Sequence, residues 1–364
     1  MNFNFYLLKS VRILLFPFSL LYGLVVIIRN YLFDKKIIKS VSFNLPIIGV
    51  GNLSVGGTGK SPMVEYLIRM LQDKYQIATL SRGYKRKTKG YTLAHAETTA
   101  LEIGDEPMQF YSKFPSVAVA VGEERIVAIP QLLHDRPETQ VIILDDSFQH
   151  RSIHPGFNIL LTECGDLFTR DFFLPTGDLR DQKSSYKRAN VIVVTKCPPE
   201  ISMEQAERIK EEIRPLPNQH VLFSTIQYTD LYHIVTKEKK RLSLEDEVLL
   251  VCGIANPTPL KNYLVQQSKT YYQLSFSDHH IFTIDDLNEV RKKFEEIQAT
   301  QKMIVTTEKD AVRLMKFKDE LKEMPMYVLP IQHRFLFGRG TQFDEIVNTF
   351  IETFQDNKKH EQKR

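Results

Sequence analysis

The sequence predicts an α/β protein with a mostly parallel sheet as its core, a second and smaller α/β domain, and an N-terminal membrane-associated helix. Three observations lead to this prediction. Short apolar runs alternate with helical periods beyond residue 40, a glycine-rich loop follows the first run, and a long uncharged run lies near the N-terminus. Strands separated by amphipathic helices are typical of βαβ units. The predicted strands are 46–50, 77–80, 117–121, 141–144, 158–161, 191–195, 221–224, 248–252, 302–306 and 327–330.

The basic charge of the chain lies mainly at its N-terminus. The 364 residues include 48 Lys and Arg and 44 Asp and Glu, which gives a formal net charge of +4. Residues 1–40 carry +5 of this charge, so the rest of the chain carries about −1. This distribution argues against a nucleic-acid-binding protein that is basic throughout. The three cysteines show no CxxC spacing, which is typical of a protein in the reducing cytosol.

An uncharged run of sixteen residues, 13–28, is closed at either end by Arg12 and Arg29. A membrane-spanning helix usually needs about 20 apolar residues, and flanking basic side chains favour anionic lipid headgroups. A signal peptide has a similar start, but no small-residue cleavage site follows this run. We therefore expect a membrane-anchoring or interfacial helix, in preference to a cleaved signal or a buried core helix. Spanning the bilayer and lying in one leaflet both fit the sequence.

The glycine-rich loop, 51–61, reads GNLSVGGTGKS and lies between an apolar strand and an amphipathic helix. Such a loop turns its backbone N–H groups inward around phosphates, while a Lys reaches the β- and γ-phosphates and a hydroxyl ligates Mg²⁺. Lys60 and Ser61 fit these two roles. The strict pattern has Gly where Ser54 stands, and a turn that binds nothing is the alternative. The strand–loop–helix context favours a P-loop NTPase-like core, with phosphate-binding residues Ser54, Val55, Gly56, Gly57, Thr58, Gly59, Lys60 and Ser61.

Two acidic residues, Asp145 and Asp146, end the predicted strand 141–144. P-loop enzymes place a carboxylate at such a position to hold the Mg²⁺ shell. Many strands end in Asp at a simple turn, but the nearby phosphate loop favours the metal role. His150 follows at the same edge of the sheet.

Three smaller groups of polar residues are candidates for substrate binding or proton transfer. Five basic residues lie within 82–89, beginning with Arg82, and form either a solvated loop or a clamp on an anionic substrate. Asp105 and Glu106 would serve as a helix cap or as a base that accepts a hydroxyl proton. The Asp-His-His run at 278–280 resembles a metal site, but adjacent side chains of an extended chain point apart. One histidine paired with a carboxylate for proton transfer is therefore favoured.

Seven motifs in order resemble the tetraacyldisaccharide 4′-kinases, the lipid A 4′-kinase family. The resemblance runs from the N-terminal apolar helix to about residue 335. The motifs are VGNLSVGGTGKSP at 50–62, LSRGY at 80–84, GDEP at 104–107, DDSFQHR at 145–151, LPTGDLR at 174–180, FSDHH at 276–280 and TTEKDAV at 306–312.

This resemblance implies an ATP- and Mg²⁺-dependent kinase at the cytoplasmic face of the inner membrane. Its substrate would be a tetraacylated glucosamine disaccharide 1-phosphate, a lipid A precursor phosphorylated on its 4′-hydroxyl, and its second partner the membrane lipid surface. The implied roles are β/γ-phosphate binding for Lys60, Mg²⁺ ligation for Ser61, Asp145 and Asp146, proton acceptance for Asp105 and His279, contact with the phosphates or the lipid headgroup for Arg82, and a site position for His150.

The predicted organisation has four segments. They are an N-terminal membrane-anchoring helix at 1–40, a P-loop kinase core at 41–170, a second α/β domain at 171–325, and a C-terminal segment at 326–364 that returns to the core and ends in a polar tail. The Pro- and Gly-rich region 173–187 is the predicted domain junction.

Two other classes of P-loop protein are alternatives to the kinase. A membrane-associated ATPase switch of the ParA/MinD type carries a Lys just before the first Gly of the pair, where this chain has Val55, and its membrane helix is commonly C-terminal. A P-loop GTPase needs an Asn/Thr-Lys-x-Asp motif. The run TKCP at 195–198 lacks the Asp, and TEKD at 307–310 has the wrong spacing. Both alternatives are disfavoured.

Overall fold

The computed structural model describes residues 12–362 as two α/β sheets flanked by helices. The helices are α1 (Phe16–Asp34), α2 (Lys60–Leu71), α3 (Ala100–Ile103), α4 (Asp105–Lys113), α5 (Arg125–Asp135), α6 (Met203–Ile213), α7 (Thr258–Gln267), α8 (Ile284–Glu296), α9 (Glu308–Leu314), α10 (Lys318–Lys322) and α11 (Gly340–Gln362). The strands are β1 (Ile47–Asn52), β2 (Ile77–Ser81), β3 (Thr92–Leu93), β4 (Ala118–Val121), β5 (Val141–Leu144), β6 (Phe157–Glu163), β7 (Val191–Thr195), β8 (His220–Tyr228), β9 (Leu231–His233), β10 (Lys239–Lys240), β11 (Glu247–Cys252), β12 (Thr270–Ser275), β13 (Lys302–Thr307), β14 (Met326–Leu329) and β15 (Ile331–Phe335).

The larger sheet has nine strands in the order β15-β8-β7-β6-β1-β5-β2-β4-β3. Its inner strands, from β8 to β4, pair in parallel, and the edge strands β15 and β3 are antiparallel. Every residue of the central strand β1 is buried. In its register Gly49 of β1 lies opposite Leu144 of β5, so the loops that follow these two strands meet at one edge of the sheet.

The smaller sheet has six strands in the order β10-β9-β14-β13-β11-β12. Strands β14, β13, β11 and β12 are parallel, whereas β9 and β10 are antiparallel. The chain enters this sheet after β8 and returns to the larger sheet at β15. The α/β class, the parallel core, the second smaller α/β unit and the N-terminal apolar helix are therefore as predicted, and all ten predicted strands are present.

The division between the two sheets differs from the predicted boundary at 170/171. Strands β7 and β8 follow that boundary, yet they pair in parallel with β6 and with each other in the larger sheet. The change of sheet comes between Tyr228 and Leu231. The Pro- and Gly-rich region 173–187 is not the junction, because it folds as a loop against α1 and the glycine-rich loop.

Two helices cover one face of the larger sheet beside β1. The apolar side of α2 is fully buried, and Met63, Leu67 and Ile68 belong to the same core cluster as Phe343 of α11. Burial of side chains of this size stabilises the fold by roughly 1.5–3 kcal/mol each. The C-terminal helix thus packs on the domain that carries the glycine-rich loop and holds α2 in place.

Candidate active site

The glycine-rich loop at 51–61 starts at the end of β1, which finishes at Asn52, and runs into the start of α2 at Lys60, so that residues 53–59 connect the two elements. Gly56 and Gly59 have φ angles of +113° and +89°, which residues with a Cβ rarely adopt. A Cβ built at Gly56 would meet no atom within 4 Å, so this side of the loop is open. The loop therefore presents the N-terminus of a buried helix to an open space, as an anion-binding loop requires.

Lys60, Asp146 and Arg180 lie together next to this loop. The Lys60 ammonium is 3.5 Å from Oδ1 of Asp146 and 3.3 Å from Oδ1 of Asn52. Arg180 donates to both carboxylate oxygens of Asp146, at 3.0 and 2.7 Å. Burial raises the pKa of Asp146, but the hydrogen bonds and charges of Arg180 and Lys60 outweigh it and hold this pKa well below its usual range. Asp146 is therefore an ionised carboxylate held between two cations.

Asp145 lies beside this group and is less well compensated. Its side chain is buried, and its Oδ1 has no hydrogen-bond partner among the residues that the structure describes. Burial, followed by the charge of Asp146, raises the pKa of Asp145 to about 6. A buried, unpaired carboxylate oxygen is costly unless a donor or a cation satisfies it.

His150 and Arg82 lie near the two acids. Burial, followed by the charge of Arg125, lowers the pKa of His150 to about 4, so its imidazole is neutral at pH 7. Arg82 follows β2 directly and is exposed, and its charge contributes to the same lowering. Of the basic residues in 82–89, Arg86 has a structural role, because its nearly buried guanidinium pairs with Glu123 at 2.6 Å.

A second group of side chains centres on Asp105, the first residue of α4. Its Oδ2 accepts from Nδ1 of His279 at 2.9 Å and from Nη2 of Arg313 at 2.7 Å. Burial raises the pKa of Asp105, but Arg313, followed by His279, outweighs this effect and holds the pKa below its ordinary value. His279 and Arg313 both come from the domain of the smaller sheet. The structure thus brings together Asp105 and His279, which are 174 residues apart.

The Asp105 group lies near the two acids that follow β5. Glu106, the neighbour of Asp105, adds its charge to the factors that raise the pKa of Asp145. Lys309 donates to Glu106 at 2.6 Å, so α4 and α9 join the two domains next to the acids. His280, in contrast, pairs with Asp286 at 2.8 Å.

Among residues 12–362 the structure contains no cluster of three or more His, Cys, Asp and Glu side chains able to hold a metal ion. Sequence reasoning missed Arg180 and Arg313 as site residues, although both lie in or beside motifs of the family resemblance.

The loop 171–181 connects the site to α1. Its backbone bonds to the glycine-rich loop, with Val55 donating to Asp178 and Arg180 donating to Leu53, both at 2.7 Å. The buried side of α1 packs against the same loop, where Gly23 approaches Phe173 so closely that a Cβ would lie 2.6 Å from its ring. Within the described part of the chain, Ile13–Asp34 is the one helical stretch long and apolar enough to cross a membrane, judged by length and composition.

Comparison with known proteins identifies the family. The family model described as tetraacyldisaccharide-1-P 4′-kinase (LpxK) matches residues 11–352. The tetraacyldisaccharide 4′-kinase of Flavobacterium johnsoniae is 48% identical over 347 residues, which cover 94% of this chain and 98% of the relative. That of Flavobacterium psychrophilum is 45% identical over 96% of this chain and 100% of the relative. The crystal structure of LpxK from Aquifex aeolicus in complex with ATP matches with a TM-score of 0.73 at 27% identity, over 94% of this chain and 99% of that chain. This chain therefore belongs to the tetraacyldisaccharide-1-P 4′-kinase family.

Proposed function

We propose that this protein transfers the γ-phosphate of ATP to the 4′-hydroxyl of a tetraacylated glucosamine disaccharide 1-phosphate, in lipid A biosynthesis. One observation carries the proposal: an open phosphate loop and a carboxylate–histidine pair lie at the same edge of the larger sheet. Phosphoryl transfer to a sugar hydroxyl depends mainly on positioning and charge neutralisation. The family, and an ATP-bound structure within it, support this substrate pair.

The phosphate loop binds the nucleotide. The backbone of residues 54–59 encloses the phosphates, and Lys60 reaches the β- and γ-phosphates. Arg82 contributes positive charge at the same edge, towards the transferred phosphate or the lipid headgroup. His150 remains neutral at pH 7 and offers hydrogen bonds without adding charge.

Asp145, Asp146 and Ser61 would hold Mg²⁺. The unpaired Oδ1 of Asp145 supports this assignment, since a hard cation with oxygen ligands would satisfy it. Arg180 keeps Asp146 ionised. When bound, Mg²⁺ would neutralise negative charge on the β- and γ-phosphates.

Asp105 accepts the proton of the attacking hydroxyl, with His279 as its partner. The carboxylate is ionised at neutral pH because Arg313 and His279 both donate to it. The pair remains partly accessible, with 13% of the Asp105 side chain and 19% of the His279 side chain exposed. A base must reach the hydroxyl directly or through one water, and this exposure allows it.

Helix α1 brings the enzyme to its lipid. Contacts with the protein body begin just before the helix, where Arg12 pairs with Asp178 at 2.9 Å. Within the helix, Ser19 donates to the carbonyl oxygen of Phe173 at 2.9 Å and Asn30 donates to Asp181 at 2.6 Å. A helix held in this way lies in the membrane interface and does not span the bilayer, since spanning would break these bonds. Its outer face is apolar and exposed, with Phe18, Leu20, Leu21, Leu24, Val25 and Ile28. The free cysteines and the basic N-terminal segment support the cytoplasmic face of the inner membrane.

The test is a direct assay. Purified protein is incubated in detergent with ATP, Mg²⁺ and the tetraacylated disaccharide 1-phosphate, and the lipid product is analysed by mass spectrometry. We expect a bisphosphorylated lipid from the wild type and none from Lys60→Ala. ATP hydrolysis without a phosphorylated lipid would contradict the proposal and would favour an ATPase switch of the ParA/MinD type.

A further inference from the structure

A buried histidine lies beside the phosphate loop, outside the groups that the proposed reaction uses. His333 stands on the edge strand β15 with 3% of its surface exposed. Its Nε2 lies 2.9 Å from the carbonyl oxygen of Gly59, and its Nδ1 lies 3.0 Å from the hydroxyl of Ser224. A carbonyl oxygen only accepts, so Nε2 carries the hydrogen and Ser224 donates to Nδ1. Both ring nitrogens therefore have a defined partner.

A second buried donor holds the preceding peptide of the loop. The hydroxyl of Thr195, at the end of β7, donates to the carbonyl oxygen of Thr58 at 2.8 Å. The carbonyls of Thr58 and Gly59 are thus both held from the side of the sheet. In a planar trans peptide the N–H points opposite to the C=O. The N–H groups of Gly59 and Lys60 are consequently directed away from the two donors, towards the open side of the loop.

The close fit between the loop and the ring limits alternative conformations. A Cβ built on Gly59 would lie 3.0 Å from both Cε1 and Nε2 of His333, so the backbone passes directly over the imidazole. Burial lowers the pKa of His333 to about 4, so the ring is neutral at pH 7. The donor to Gly59 is therefore permanent and does not depend on pH near neutrality.

We propose that His333, assisted by Thr195, is a positioning residue for the nucleotide, because it holds the last two peptides of the phosphate loop with their N–H groups directed at the phosphates. This inference rests on the proposed function, since it assumes that the loop binds ATP. It assigns no chemical step to His333. The contribution is pre-organisation: without these donors the loop must be ordered at the expense of binding free energy.

The test compares nucleotide affinity among matched variants of the full chain. His333→Ala removes the donor, and His333→Gln restores an amide N–H near the position of Nε2. Thr195→Val removes the second donor at nearly constant shape, and Thr195→Ser retains it. The control is His233→Ala, because His233 is also buried and its Nε2 bonds to a carbonyl, that of Met324, at 2.9 Å, but in the smaller sheet. The measurements are the Kd of ADP with Mg²⁺ by calorimetry, the KM values, and Tm.

Loss of one such hydrogen bond predicts an increase of about two- to tenfold in the Kd of ADP and the KM for ATP in His333→Ala and Thr195→Val. The KM for the lipid acceptor should stay constant, and His333→Gln and Thr195→Ser should restore most of the affinity. His233→Ala should lower Tm and leave the Kd unchanged. If the wild type binds ADP and both His333→Ala and Thr195→Val bind it with the same affinity, the inference is overturned and the proposed function remains intact. A wild type that binds no nucleotide would overturn both.

Discussion

Oδ2 of Asp105 lies 2.9 Å from Nδ1 of His279, and the two residues come from different domains. Asp105 begins α4, next to the larger sheet, whereas His279 follows β12 of the smaller sheet. The pair exists only while the two domains are in contact. Three further links hold this contact, namely Asp105 with Arg313, Glu106 with Lys309, and Lys113 with Glu308. The proposed proton acceptor and the residues that join the two domains thus lie on the same helix.

Asp105→Asn should lower kcat by about 10²–10⁴ and leave the KM for ATP nearly unchanged, because the amide cannot accept the hydroxyl proton. The matched control is Asp286→Asn, which breaks a similar Asp–His pair, with His280 at 2.8 Å, away from the site. This control should keep its kcat, although its stability will fall because Asp286 also bonds to the cap residue of α8. Steady-state kinetics with both substrates measures the difference. Equal turnover in wild type and Asp105→Asn would remove Asp105 from the chemistry.

Arg313→Gln should move the acidic limb of the kcat/KM profile to higher pH. The charge and hydrogen bonds of Arg313 are the largest of the effects that lower the pKa of Asp105, so their loss raises that pKa. A raised pKa means that Asp105 becomes an ionised base only at higher pH. Because a nearby cation lowers a carboxyl pKa, the acidic limb of Arg313→Gln should lie at higher pH than that of the wild type.

Lys309→Gln is the control for this profile, because Lys309 lies on the same helix as Arg313, α9. The substitution breaks the ion pair between Lys309 and Glu106 and leaves the donors to Asp105 in place. The acidic limb of Lys309→Gln should lie at the same pH as that of the wild type. The limb of Arg313→Lys should lie between those of the wild type and Arg313→Gln. The same movement in Lys309→Gln and Arg313→Gln would mean that domain contact, and not the charge on Asp105, determines the profile.

The strands that sequence reasoning found and missed differ in burial. The ten found are apolar runs inside a sheet, such as β1, in which all six residues are buried. The missed strands, β3, β9, β10, β12 and β15, lie at or next to sheet edges. In β12 only Leu274 is buried, and β15 reads IQHRF. A strand that is covered on one side or open to solvent keeps polar residues and gives no continuous apolar run.

The site residues that the sequence predicted carry their chemistry in a local motif. The glycine-rich loop and the two acids after β5 are recognisable without knowledge of the fold. Arg180 and His333 are not, because each acts on a residue far away in the chain, Asp146 and Gly59 respectively. Their roles depend on how the strands are ordered in the sheet. Short motifs therefore predict the candidate site residues. The tertiary structure determines which distant side chains form hydrogen bonds to those residues.

The outer face of α1 gives a prediction for membrane binding. Leu21 and Val25 are 62% and 59% exposed, so Leu21→Glu/Val25→Glu should leave Tm unchanged. The same substitutions place two charges in the headgroup and acyl boundary, and binding to anionic vesicles should fall strongly. Sedimentation with vesicles that contain anionic lipid measures this. Leu244→Glu, at an exposed leucine of the other domain, should sediment like wild type. Undiminished sedimentation of the double variant would show that another surface binds the membrane.

Glu308 gives a prediction for the pH dependence of stability. It is buried where the two domains meet and shares the Lys113 ammonium with Glu65, which lies 2.6 Å from it. Burial, followed by the charge of Glu65, raises the pKa of Glu308 from 4.5 to about 7, although Lys113 opposes this. Between these two pH values the native state holds a proton that the unfolded chain has lost. The contribution of Glu308 to stability is therefore complete below about pH 4.5 and is lost as the pH rises to about 7.

Glu308→Gln removes this titration. Glu308 accepts from Lys113 with Oε1 and from the backbone N–H of Ile331 with Oε2, and the single amide oxygen of the variant keeps one of these two bonds. Relative to the variant, the wild type should lose Tm between pH 5 and pH 8, because the native state gives up the proton of Glu308 in this range. Thermal unfolding of both proteins across this range measures the effect. Glu296→Gln, at an exposed position of α8, should show the same dependence of Tm on pH as the wild type. A constant difference in Tm between wild type and Glu308→Gln at all pH values would mean that Glu308 is already ionised at pH 5, with Lys113 compensating its burial in full.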